Sequence, residues 1–114
     1  MHIVSTINLT RLAYRRSIKA VDTREPYIWD EDKREANLRV HRIDFSAAHR
    51  FEWANAVLFV DDREDYGELR AIAIGIIDPG LYVLTFTRRK DQIRVISLRK
   101  AEKSDVRKYV EAIR

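Results

Sequence analysis

At 114 residues and 13.5 kDa the chain is sized for one compact domain, which excludes a multidomain enzyme. Hydrophobic residues make up 46% and charged residues 35%, with 3 Gly, 2 Pro and no Cys, so the composition is that of a folded protein; disulfides, thiolate catalysis and Cys-ligated metals are excluded, and a reducing cytosol is the expected compartment. Twenty-two Lys and Arg against 18 Asp and Glu leave a net charge of +4, concentrated at the ends: residues 1–25 carry +3 and residues 88–114, with ten basic and four acidic groups, carry +6.

Residues 1–25 have no clean helical or alternating period, since Ile7, Leu9, Leu12, Ile18 and Val21 are scattered among polar residues. They are expected to be an N-terminal extension, either weakly helical around 9–19 or a mobile arm. Arg11, Arg15 and Arg16 break the apolar stretch a signal peptide needs, and no run approaches the roughly 20 apolar residues of a membrane helix, so no membrane association is expected. The domain proper begins at Pro26, followed by the β-prone run Tyr27-Ile28-Trp29. Asp30 is a good N-cap. With Glu31 and Asp32 in the first turn and Arg39, His41 and Arg42 at the far end, every charge complements the dipole of a helix over 31–41. Phe45-Ser46, the alanines after it and Phe51 predict a second short helix over 46–54.

From Ala56 the chain turns to branched and aromatic runs at 56–60, 69–77, 81–87 and 92–98, broken by an acidic loop, by Asp78-Pro79-Gly80 and by the polar tip Arg88–Asp91. This pattern predicts an antiparallel meander. Ala101, Val106, Tyr109, Val110 and Ile113 then recur at helical spacing over 101–113. The predicted fold is α+β: a small antiparallel four-stranded sheet packed against two N-terminal helices and one C-terminal helix.

No Gly-rich phosphate loop exists, and His2, His41 and His49 lack metal-ligand spacing, so neither a nucleotide cofactor nor a zinc site is expected. The carboxylates Asp61, Asp62, Glu64, Asp65 and Glu68 fit a solvated loop better than a magnesium site, and the site is expected to hold no metal. Strict alternation on 92–98 puts Ile93, Val95 and Ser97, with Arg99 after them, on one face and Gln92, Arg94, Ile96 and Leu98 on the other. Arg94, in mid-strand among apolar neighbours, needs either a carboxylate such as Glu68 or an incoming phosphate. Arg70, which opens the face of Ile72, Ile74 and Ile76, invites the same choice, and with Arg89 and Arg99 the group has the parts to surround one phosphodiester. Such a set suffices for metal-free RNA cleavage, because the ribose 2′-OH is an internal nucleophile and the protein supplies only position, proton transfer and charge stabilisation. Lys33, Asn37 and His41 share one face of the first helix, where His41 also suits the helix end as a dipole-complementing cation.

Three blocks, in order, resemble the BrnT toxins of type II toxin–antitoxin systems. The first is WDEDKREANLRVHRIDF, through Trp29, Asp30, Lys33, Asn37, His41 and Phe45. The second is ELRAIAIG, through Glu68, Arg70, Ile74 and Gly75, and the third TRRKDQIRVISLRKA, through Thr87, Arg89, Ile93, Arg94, Ile96, Ser97, Arg99 and Ala101, with Tyr109 beyond. Arg42 and Lys90 stand where the family commonly has glycine, Leu98 replaces Ala and Asp105 replaces Glu. The resemblance implies a RelE-like fold and a metal-independent endoribonuclease that inhibits translation, restrained by a BrnA-like ribbon-helix-helix antitoxin through which alone operator DNA is reached. It implies Arg70, Arg89, Arg94 and Arg99 at the phosphate, Glu68 or His41 as base, and Thr87, Ser97 and Lys33 as RNA-binding residues. The alternative is a non-catalytic basic nucleic-acid-binding module, or an inactive toxin acting only as corepressor.

Overall fold

The charge pattern around Asp30 is realised in the computed structural model of the chain, which describes residues 2–3 and 27–114. Helix α1 spans Glu31–His41, with the Asp30 carboxylate accepting from the amides of Asp32 and Lys33 at 2.8 and 3.3 Å. Arg42 ends the helix in the left-handed region at φ 62°, its amide bonded to the Leu38 carbonyl at 3.0 Å. The termination that glycine makes easily is therefore kept by a residue with a Cβ. Lys90, in a turn between two strands, likewise takes a left-handed conformation despite its Cβ, at φ 55°. The helix expected around 9–19 lies outside the described residues.

The second predicted helix is replaced by two 3₁₀ turns, Phe45–Arg50 and Trp53–Asn55, with Phe51 extended between them at φ −68°, ψ 128°. The reason is aromatic packing. A continuous helix would point residues 51 and 53 about 200° apart, whereas both rings are needed on the sheet. Phe51 and Trp53 meet edge to face at 4.9 Å, Trp53 meets Phe86 at 5.1 Å, and Phe51 lies so close to Gly75 that a Cβ there would come within 2.7 Å of its ring. The Glu52 amide, freed from any helix, donates to the Ile76 carbonyl at 2.9 Å.

The meander is present: β3 (Val57–Val60), β4 (Ala71–Ile77), β5 (Gly80–Arg89) and β6 (Gln92–Lys100) pair antiparallel in sequence order. Two short strands extend it, so the sheet is not the purely antiparallel four-stranded one predicted. At one edge β1 (His2–Ile3) pairs antiparallel with β3; at the other β2 (Tyr27–Ile28) pairs parallel with β6, giving the order β1-β3-β4-β5-β6-β2. The β-prone run after Pro26 is this second edge strand.

Helix α2 (Lys103–Ile113) follows β6. One sheet face carries Leu58, Ala73, Leu84, Phe86, Ile93, Val95 and Leu98 and is sealed by the 3₁₀ turns through Phe45, Ala47, Ala48 and Phe51. Asn37, buried on α1, joins the helix to the sheet: its amide donates to the Leu98 carbonyl at 2.8 Å and to Ile43 O at 3.2 Å, and its oxygen accepts from the Leu98 amide at 3.2 Å. The opposite face carries Val57, Phe59, Ile72, Ile74 and Val83, against which α2 packs Tyr109 and Ala112. Among the described residues no helix is long and apolar enough to cross a membrane.

Candidate nucleic-acid interface

Alternation is interrupted on β6, and the interruption builds the site. Ser97 pairs with Thr85, but Val95 pairs with Phe86, so Ile96 is an extra residue in a β-bulge. Beyond it Arg94 pairs with Thr87 and Gln92 with Arg89, while Arg99 pairs with Val83. Directly paired residues point to one face, so Arg94, Ser97 and Arg99 lie together with Thr85, Thr87 and Arg89. Strict alternation separated Arg94 from Arg99 and Ser97; the bulge reunites them. Ile72 pairs with Thr85, and Arg70, two residues before Ile72, continues the same face.

This face holds a cleft of about 340 Å³ lined by Arg63, Ile72, Val83, Thr85, Ser97, Arg99, Ser104, Asp105 and Lys108. Of the arginines predicted from sequence only Arg99 lines this cleft; Arg70, Arg89 and Arg94 lie outside it on the same face, and the four differ in what they already hold. Arg99 is spent on one side, donating to both oxygens of Asp105 at 2.7 and 3.3 Å. Burial pushes the Asp105 carboxyl up, but the Arg99 bond and the Glu102 amide outweigh it and hold it below the ordinary carboxylate range. Arg89 meets Glu68 at 3.2 Å, with both side chains part-exposed. Arg94 is half-buried and, with Glu68 engaged by Arg89, makes no ion pair among the described residues. Arg70 stacks on the Tyr66 ring with 3.9 Å to the centroid, and its buried Nε has no acceptor among the described residues.

Thr87, 3% exposed, donates its hydroxyl to the Leu69 carbonyl at 2.8 Å and so pins the loop that carries Glu68 and Arg70. The β5 partners of Arg94 and Arg99, Thr87 and Val83, stand four positions apart, about 13 Å at the usual strand rise. The basic residues therefore form a track longer than one phosphodiester. Lys33 and His41 are not on it: they line a separate depression with Ala36, Asn37, Val40 and Ile96 on the α1 side. Arg63 and Tyr66 were not singled out from sequence, Asp61 was read only as part of a solvated acidic loop, and Asp105 only as a replacement for the family's Glu. The one available signal was chain position, since Asp61 and Tyr66 stand in the loop leading to Arg70 and Asp105 six residues after Arg99.

Among the described residues no cluster of three or more His, Asp or Glu is arranged to hold a metal ion. A sequence model of the ribonuclease toxin BrnT of type II toxin–antitoxin systems matches residues 29–105. No curated protein matches the chain. The chain belongs to the BrnT family, whose members are ribonuclease toxins that imply an antitoxin partner.

Proposed function

We propose that this BrnT-family chain is a metal-independent endoribonuclease that cuts RNA through the ribose 2′-OH, in the cytosol, and thereby inhibits translation. The observation that carries the reading is a half-buried pair of guanidinium groups with unmet hydrogen-bonding capacity: among the described residues the buried Arg70 Nε has no acceptor and Arg94 pairs with no carboxylate, one on either side of Thr87. Fixed donors stabilise the extra negative charge of a pentacoordinate phosphate more than that of the ground state, which is what lowers the barrier.

In this reading Arg70 and Arg94 hold the scissile phosphate. Glu68, held at the rim by Arg89, takes the 2′-OH proton as the 2′-oxygen bonds to phosphorus and the P–O5′ bond breaks, the 5′-oxygen leaving with a proton from water, and Arg89 contributes charge as the ion pair opens. Ser97 and Arg99, farther along the track, bind a flanking phosphate. Thr87 acts through the loop it pins, and Lys33 and His41 take no part in the chemistry. The antitoxin is a BrnA-like ribbon-helix-helix protein, and growth arrest on induction of this chain should be reversed by co-expressing it.

The direct test incubates the purified protein with labelled single-stranded RNA in EDTA. Cleavage leaving 2′,3′-cyclic phosphate ends, slowed in Glu68→Gln and Arg94→Ala, supports the reading. RNA left intact at every protein concentration, though bound, would favour a non-catalytic basic module.

A further inference from the structure

An arginine free of carboxylate partners keeps its full charge for a ligand but has a long side chain that samples many rotamers, so something other than an acid must hold it. For Arg70 that support is an aromatic ring. The Tyr66 ring lies against the guanidinium at 3.9 Å, a contact that fixes the plane and occupies none of its N–H donors. Arg89 and Arg99, in contrast, are restrained by carboxylates that partly neutralise them.

The Tyr66 hydroxyl reaches the Asp61–Arg63 pair and, beside the stronger Arg63 bond, helps to hold the Asp61 carboxyl below its ordinary range. The Asp61 side chain is fully buried and receives Arg63 at 2.7 and 2.8 Å, and its backbone amide donates to the Arg70 carbonyl at 2.9 Å. Gly67, at φ 72°, turns the chain just after Tyr66, with its amide on the Asp65 carboxylate at 3.0 Å. The loop thus returns to Arg70 by two fixed points, Asp61 beneath it and Leu69 held by Thr87.

We propose that Tyr66 is a positioning residue, whose ring holds the Arg70 guanidinium in the orientation that meets the phosphate; this rests on the reading of Arg70 as a phosphate-binding group. The ring makes the contact with Arg70, whereas the hydroxyl serves the Asp61–Arg63 pair, so the positioning role belongs to the ring. In cleavage of a single-stranded RNA oligonucleotide, Tyr66→Ala should lower kcat about tenfold with KM changed less than about twofold, and Tyr66→Phe should stay within about twofold of wild type. In an Arg70→Ala background, Tyr66→Ala should add no further loss.

A second measurement is independent of activity: the Arg70 Nε–H signal in proton–nitrogen NMR spectra. It should be sharp in wild type and Tyr66→Phe and lost to exchange in Tyr66→Ala, with the other signals of the fold retained. An equally sharp signal in Tyr66→Ala, or losses that multiply with those of Arg70→Ala, would overturn the proposal. Wild-type cleavage by Arg70→Ala would instead overturn the phosphate reading, while the NMR result still decides whether Tyr66 holds the guanidinium.

Discussion

Asn37 shows how one side chain can substitute for a strand. It gives the Leu98 amide and carbonyl the hydrogen bonds that a neighbouring chain would supply, in a buried position. Asn37→Ala leaves both groups unsatisfied and is expected to cost about 2–4 kcal/mol in chemical denaturation. Arg99 and Asp105 form a second linked pair. The depressed pKa of Asp105, and that of Asp61 beside Arg63, mean that each carboxylate stabilises the fold above its unfolded pKa and loses that contribution as pH falls through its folded pKa. The denaturation midpoint should therefore drop between neutral pH and about pH 3, and the drop should be shallower in Asp105→Asn. Arg99→Ala should lower stability as well as RNA affinity, because it strands the buried Asp105 carboxylate.

At the scale of elements, helix α1 and the β3–β6 meander were legible in the sequence because local signals agree there: an N-cap with complementary charges, branched runs and turn residues. The second helix was misjudged because Ala-rich propensity was outweighed by the tertiary demand of Phe51 and Trp53 for the sheet face, which local sequence does not show. The β tendency of Tyr27-Ile28 was legible, but its place as a parallel edge strand beside β6 depends on a long-range partner that local sequence does not show. The bulge at Ile96 was hidden for a further reason. Alternation assigns faces only while register is unbroken, and one extra residue reverses every assignment beyond it. Arg42 and Lys90 show local strain accepted by the fold. Replacing either by glycine should relieve about 1 kcal/mol of left-handed backbone cost, read as a raised melting temperature, with the helix and hairpin otherwise unchanged.

For the molecule as a whole, one sheet face is closed by the 3₁₀ turns and their aromatic residues, and the other is left partly open beside α2, so the sheet separates the stabilising core from the candidate site. The motif positions of the family came from sequence; the division between the arginine track and the Lys33–His41 depression came from the fold. A track of this kind should bind single-stranded RNA with an affinity that falls as salt rises, and loss of Arg94 should reduce the log–log slope by about 0.7, the share of one phosphate contact.

The central claim is that the chemistry belongs to the arginine face. The most direct test compares Arg94→Ala with His41→Ala in RNA cleavage in EDTA. The account predicts that His41→Ala cleaves at close to the wild-type rate and that Arg94→Ala is slower by about a hundredfold or more. Undiminished cleavage by Arg94→Ala, or its abolition in a folded His41→Ala, would contradict it.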